Sequence, residues 1–204
     1  MALSDDDKQR VIRDIRRQVT LTQIANWIAD ARRTTEMVVG GNEEAIPAFW
    51  IRLYGVLADV SDYVASQIST LEGLQPELGA FSNEALRSLR AIESSLALLR
   101  KVFTDDEVIY LQYRRHCECH PLQDAYRIRV SKAQLLDKVT HRLLGEKMTV
   151  EETVAVLKQV LGRYSINEKL IAKDFARRAI AALEEVRTRS ISWCGEATIG
   201  HLPS

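Results

Sequence analysis

Apolar residues recur along this chain at separations of three and four, and polar capping residues mark where the runs begin. Ile12, Ile15 and Val19, then Ile24, Trp27, Ile28 and Ala31, form one stripe before Gly40-Gly41. Ser4 precedes Asp5-Asp6-Asp7, and acids in a first turn suit the positive end of a helix dipole, so the pattern predicts one long first helix. A second is predicted from Pro47, a residue suited to a first turn, through Trp50, Leu53, Tyr54, Leu57, Val60 and Val64 to about Thr70. Gly73, Pro76 and Gly79 predict a loop. Ser82 is the expected cap of a third helix carrying Leu86, Leu89, Ile92, Leu96, Leu99 and Phe103.

Thr104 and Glu107 form a capping box that opens a fourth helix, which should end near His120 because Pro121 disfavours the helical conformation before it. Between Leu122 and Val130 the apolar residues Tyr126, Ile128 and Val130 alternate with Arg127 and Arg129, and the stretch reads as a loop. Ser131 with Gln134 starts a further helix that Gly145 closes, Thr149 with Glu152 starts another that Gly162 closes, and Ser165 with Glu168 starts the last. That last helix carries Leu170, Ile171, Phe175, Ile180, Leu183 and Val186. With no strand run and no internal repeat, the expected fold is all-α, an up-and-down bundle of about seven helices joined by short loops. Residues 1–189 read as a single α-helical domain and residues 190–204 as a C-terminal tail without a helical period.

The 204 residues are 46% hydrophobic and 27% charged, enough for a core that needs no staple. The longest apolar stretch, Ala45 to Val60, is broken by Arg52 and Asp59 and is too short for a bilayer, so no membrane association is expected. The acidic start lacks the form of a secretion signal, and three cysteines make a poor disulfide set; a cytoplasmic protein is expected. The 28 basic and 28 acidic residues cancel, which argues against non-specific coating of nucleic acid. Arginine pairs at Arg16-Arg17, Arg32-Arg33, Arg114-Arg115 and Arg177-Arg178 still allow a local phosphate-binding cleft.

One segment concentrates chemistry: Tyr113-Arg114-Arg115-His116-Cys117-Glu118-Cys119-His120-Pro121. His116 and His120 are four apart on one helical face, with Cys117, Glu118 and Cys119 as further donors, so metal binding is one reading. One helical turn cannot surround an ion tetrahedrally, and His141, Cys194 and His201 do not form a second ligand pair, so neither metal nor cofactor is expected. Thiolate chemistry at Cys117 or Cys119 is another reading, opposed by the negative end of the helix dipole. A structural reading is also open. In it Ile109, Tyr113, His116 and His120 face the core or an interface, and Arg114, Arg115 and Glu118 form a solvated face on which Arg114 and Glu118 are an i,i+4 pair.

Arg115 followed five residues later by His120, with His116 directly after the arginine, resembles the Arg-x4-6-His signature of HEPN domains, the nucleotide-binding domains of higher eukaryotes and prokaryotes. The resemblance covers six residues and an all-helical context. It implies a helical bundle, commonly a homodimer whose motif lines the dimer cleft, and a metal-independent endoribonuclease of toxin or defence type, with RNA as ligand and an antitoxin or other protein as partner. Some family members are inactive binding or scaffold modules. Carried onto this chain, the catalytic residues are Arg115, His120 and His116, with Arg114, Tyr113 and Tyr126 contacting substrate.

Those side chains suit the chemistry implied. A ribonuclease that uses the RNA 2′-hydroxyl as nucleophile must move protons and stabilise a phosphorane. An imidazole titrating near neutral pH serves the first need, and a guanidinium fork the second. His116 would orient the phosphate, Arg114 would add a phosphate contact, and Tyr113 or Tyr126 would stack on a base. In a continuous helix Arg115 and His120 lie about 140° apart around the axis and about 7.5 Å along it, so they converge only if the helix loosens before Pro121 or two copies of the motif meet.

Overall fold

The computed structural model describes residues 3–18, 21–119, 149–164 and 167–199, and among these the chain is all-α. Helices α1 (Asp5–Gln18) and α2 (Leu21–Val39) are followed by a 3-10 turn (Glu43–Ala45) and α3 (Ile46–Gly55). A π-helical segment (Val56–Val60), α4 (Ser61–Leu78), α5 (Ala80–Lys101) and α6 (Asp105–Cys119) come next, then α7 (Val150–Tyr164) and α8 (Glu168–Ile199). The expected helix starting at Ser131 and the loop between Leu122 and Val130 lie outside the described residues. Among the described residues no helix is long and apolar enough to cross a membrane.

The chain divides into two compact units. The first comprises the described residues up to Arg33, Gly55–Val102, and those from Arg178 on. Its core is the predicted α5 stripe, Leu86, Leu89, Ile92, Leu96 and Leu99, all buried, set against Val60, Val64, Ile68 and Leu71 of the π segment and α4. Helix α1 packs on α4 and α5 and buries Ile12. Arg178 Nη1 donates to the Val102 carbonyl at 3.0 Å, satisfying an acceptor at the C-terminal end of α5. Arg32 forms an ion pair with Glu184.

The second unit comprises Thr34–Tyr54 and the described residues of Phe103–Arg177. Helix α6 packs on α7, and the core is aromatic. Trp50, fully buried, meets Tyr110 and Phe175 edge to face, each with ring centroids 5.8 Å apart, and lies 4.9 Å from Phe49. Phe103 and Tyr164 close the cluster around Phe175, at 5.3 and 6.1 Å. Such tilted and edge-on contacts suit the ring quadrupoles.

Two capping boxes form as expected. The Thr104 amide donates to Glu107 Oε2 at 2.9 Å and the Glu107 amide to Thr104 Oγ1 at 3.3 Å. Thr149 and Glu152 repeat the exchange at 2.8 and 3.2 Å.

Other boundaries differ from expectation. Gly73 and Pro76 do not form a loop, because α4 continues through both to Leu78. Burial of Leu71 and Leu78 on either side of Pro76 offsets the one amide that this exposed proline withholds. The break falls at Gly79 alone, whose φ of 56° and ψ of −129° fit glycine. Ser82 is not the cap of α5: it sits inside the first turn, and its hydroxyl donates to the Gly79 carbonyl at 2.9 Å. Gly162 does not end α7, which runs on to Tyr164 with Val160 buried one half-turn earlier. The single long first helix is described as α1 and α2, with residues 19 and 20 outside the described residues. Helix α8 extends to Ile199, into the stretch where the pattern showed no period.

Leu99 is fully buried at the end of the α5 stripe. Leu99→Ala is expected to lower unfolding free energy by about 2–5 kcal/mol, read from the urea midpoint at constant slope.

Candidate functional site

The candidate segment is the last two turns of α6, within the second unit. The first turns of this helix are sunk into the core, with Val108, Ile109, Tyr110 and Leu111 buried. From Tyr113 to Glu118 every side chain is half-buried, and Cys119 is exposed. The segment thus emerges from the core where its polar and basic residues begin.

Arg114 is held between two carboxylates. Its Nη2 donates to Glu118 Oε1 at 2.6 Å, the i,i+4 pair that the spacing predicts, and also to Glu168 Oε1 in the first turn of α8. The same Glu168 oxygen accepts from the Trp50 indole Nε1 at 3.0 Å. One carboxylate therefore joins α3, α6 and α8. Ser165, the expected cap of α8, lies outside the described residues, while the Asn167 side chain accepts from the amides of Lys169 and Leu170 at 3.1 and 3.2 Å and so caps the first turn. The Glu168 carboxylate accepts from Trp50 and Arg114.

Arg115 points elsewhere. Its guanidinium carbon lies 5.2 Å from the centroid of the Tyr54 ring, a cation–π contact, and the residue is half-buried. His116, also half-buried, follows it in the last turn. Tyr113 makes a side-chain hydrogen bond with Cys117; burial first, and that bond second, push its phenol up to about 12. Burial pushes Tyr110 up to about 12 as well, against the lowering pull of Arg114. Cys117 and Cys119 are free thiols.

Of the six site residues named from sequence, Arg114, Arg115, His116 and Tyr113 share this emerging end of α6, whereas His120 and Tyr126 lie outside the described residues. Arg114 pairs with Glu118 and Glu168, and the adjacent Arg115 lies over the Tyr54 ring. Among the described residues, no three His, Cys, Asp or Glu side chains are grouped to hold a metal ion. The sequence reading did not single out Glu168, Trp50 or Tyr54: Trp50 and Tyr54 appeared only as core stripe and Glu168 only as a capping acid. No protein-family model, curated protein or solved structure matches the chain.

Glu168→Ala removes the acceptor of a buried indole and one of two counter-charges of Arg114. The expected cost is about 1–3 kcal/mol in urea unfolding, with a red shift of Trp emission as water reaches Trp50. Alkaline titration followed by tyrosinate absorbance should show Tyr63, Tyr110 and Tyr113 ionising near pH 12 in the folded chain. A phenol whose folded pKa is raised binds more protons folded than unfolded above pH 10, so stability should fall from about pH 10 to about pH 12.

Proposed function

We propose that this chain is a HEPN-like RNA-binding protein and metal-independent endoribonuclease of toxin or defence type, with Arg115 as its phosphate anchor. The observation that supports this reading is the seat of Arg115: half-buried at the emerging end of α6, with its guanidinium held over Tyr54. Stacking engages the face of a guanidinium, while phosphate is recognised along its N–H edge, so the contact with Tyr54 leaves the geometry of that edge compatible with an anion. Arg114 then acts as a positioning residue, tying α6 to Glu168 rather than serving as the second phosphate contact.

In this reading the 2′-hydroxyl of RNA attacks the adjacent phosphorus and the bond to the 5′-oxygen breaks, leaving a 2′,3′-cyclic phosphate and a 5′-hydroxyl. His120 moves the proton, Arg115 carries the charge developing on the phosphorane, and His116 orients the phosphate. Tyr113 and Tyr126 offer base-stacking surfaces. Two motif copies in a homodimer would complete the cleft, and an antitoxin is the natural protein partner of such an activity. The site is cytoplasmic in this reading.

A second reading, a non-catalytic helical interaction protein, is favoured by one observation: Arg114 is engaged by two carboxylates of its own chain. A labelled single-stranded RNA incubated with the full chain in excess chelator separates the two. Cleavage is expected, reduced about 100-fold or more by Arg115→Ala and by His120→Ala with the helical circular dichroism preserved. RNA left whole by the unmodified chain supports the interaction reading; cleavage unchanged in both variants removes these residues from the mechanism.

A further inference from the structure

Cys117 and Cys119 are two free thiols in the last turn of α6, with Glu118 between them. Cys119 is exposed, and Cys117 is half-buried and hydrogen-bonded to the Tyr113 side chain. At this helical spacing their Cα atoms stand about 5.4 Å apart, inside the span that a disulfide bridges. Their Cβ atoms leave the helix axis on opposite sides, about 7 Å apart, where a disulfide needs about 4 Å. The two sulfurs can therefore join only if the turn that carries them uncoils.

That turn is weakly held. Residue 121 is proline, so the Cys117 carbonyl has no amide four residues on to accept from, and the helical conformation is disfavoured just before it. The side chains from Tyr113 to Glu118 are only half-buried, and the bonds given up on uncoiling include the Tyr113–Cys117 hydrogen bond and the Arg114–Glu118 pair. We infer that Cys117 and Cys119 form a redox switch, in which a small-molecule disulfide of the glutathione type oxidises the pair and uncoils the last turn of α6. The Cys119 thiolate attacks one sulfur of the small disulfide, forming a mixed disulfide and expelling one thiolate; the Cys117 thiolate then attacks the Cys119 sulfur and expels the second. Two protein thiols are oxidised to one bridge, and one small disulfide is reduced to two thiols, which take up the two protons. A bridge whose closure costs a helical turn is readily reduced, so the pair rests as free thiols and closes under oxidising conditions. Closure takes apart the turn that carries His116 and separates Glu118 from Arg114. The switch stands on the placement of the two thiols and holds whatever that end of the helix binds.

The test uses the full chain with Cys194→Ser, which leaves Cys117 and Cys119 as its cysteines. The chain is equilibrated with mixtures of reduced and oxidised glutathione, quenched and mapped by mass spectrometry, and amide hydrogen exchange is followed in both states. An intrachain Cys117–Cys119 bridge should form and be reversed by excess reduced glutathione. Exchange across residues 114–119 should rise about tenfold or more on oxidation, while the buried residues 108–111 keep their protection. Cys117→Ser in the same background should stop at the mixed disulfide on Cys119 and keep the exchange of the reduced chain. A chain that carries only glutathione adducts or stays reduced at every ratio overturns the inference, as does a bridge between two chains. So does a bridge formed without a rise in exchange, or an equal rise in Cys117→Ser. Should Cys194→Ser fail to fold, the unmodified chain is mapped in its place, and a bridge from either thiol to Cys194 in preference to the pair overturns the switch.

Discussion

The second unit is organised by the need to satisfy one indole N–H. Trp50 is fully buried in an aromatic core, where its rings gain edge-on contacts but its Nε1 is withdrawn from bulk solvent and needs an acceptor. Glu168 supplies the acceptor. A carboxylate brought against a hydrophobic core needs compensation, and it receives two kinds: the N-terminal dipole of α8 and the guanidinium of Arg114. Arg114 in turn shares its charge with Glu118 one turn on. The chain of dependence runs from an aromatic in α3 to the exposed end of α6, and it fixes the rotation of that end. With Arg114 drawn to Glu168, its neighbour in sequence is turned by about 100° toward a different surface, where Tyr54 receives it.

This division between adjacent arginines gives the site its character. Arg114 contributes to the interior through anions, and its Nε is buried without a partner. Arg115 rests on a ring. The same residue type at consecutive positions therefore has two physical roles, decided by helical phase and by what each phase faces, and a double arginine motif need not mean a doubled basic patch.

How much of this was legible in sequence depended on the range of the interaction. Thr104 with Glu107 and Thr149 with Glu152 satisfy each other within one turn, so the letters determine the geometry. Arg114 with Glu118 is equally local. Glu168 read only as a capping acid, and its bonds to Trp50, 118 residues away, and to Arg114, 54 residues away, carry no local signature. A local rule cannot anticipate a distant donor. Glycine and proline misled for the related reason that burial of neighbouring leucines holds a helix through Gly73 and Pro76. The α5 stripe was readable because its spacing is regular and every member is apolar. The contact of Arg115 with Tyr54 was not readable, since an aromatic in a core stripe carries no mark of the cation above it.

The π-helical segment in the first unit shows how side-chain phase and chain length can be separated. Its buried residues Val56 and Val60 continue into Val64 and Ile68, always four apart. In a regular α-helix each such step overshoots a full turn by about 40°, so a long series of fours would wind its apolar edge around the cylinder and out into water. A turn closed by i→i+5 bonds holds more residues and takes up part of the excess. The widened turn is thus a vernier in the backbone: it corrects the aim of an apolar edge without changing any residue on it, and it marks where an inserted residue could be absorbed while the downstream leucines stay in the dark.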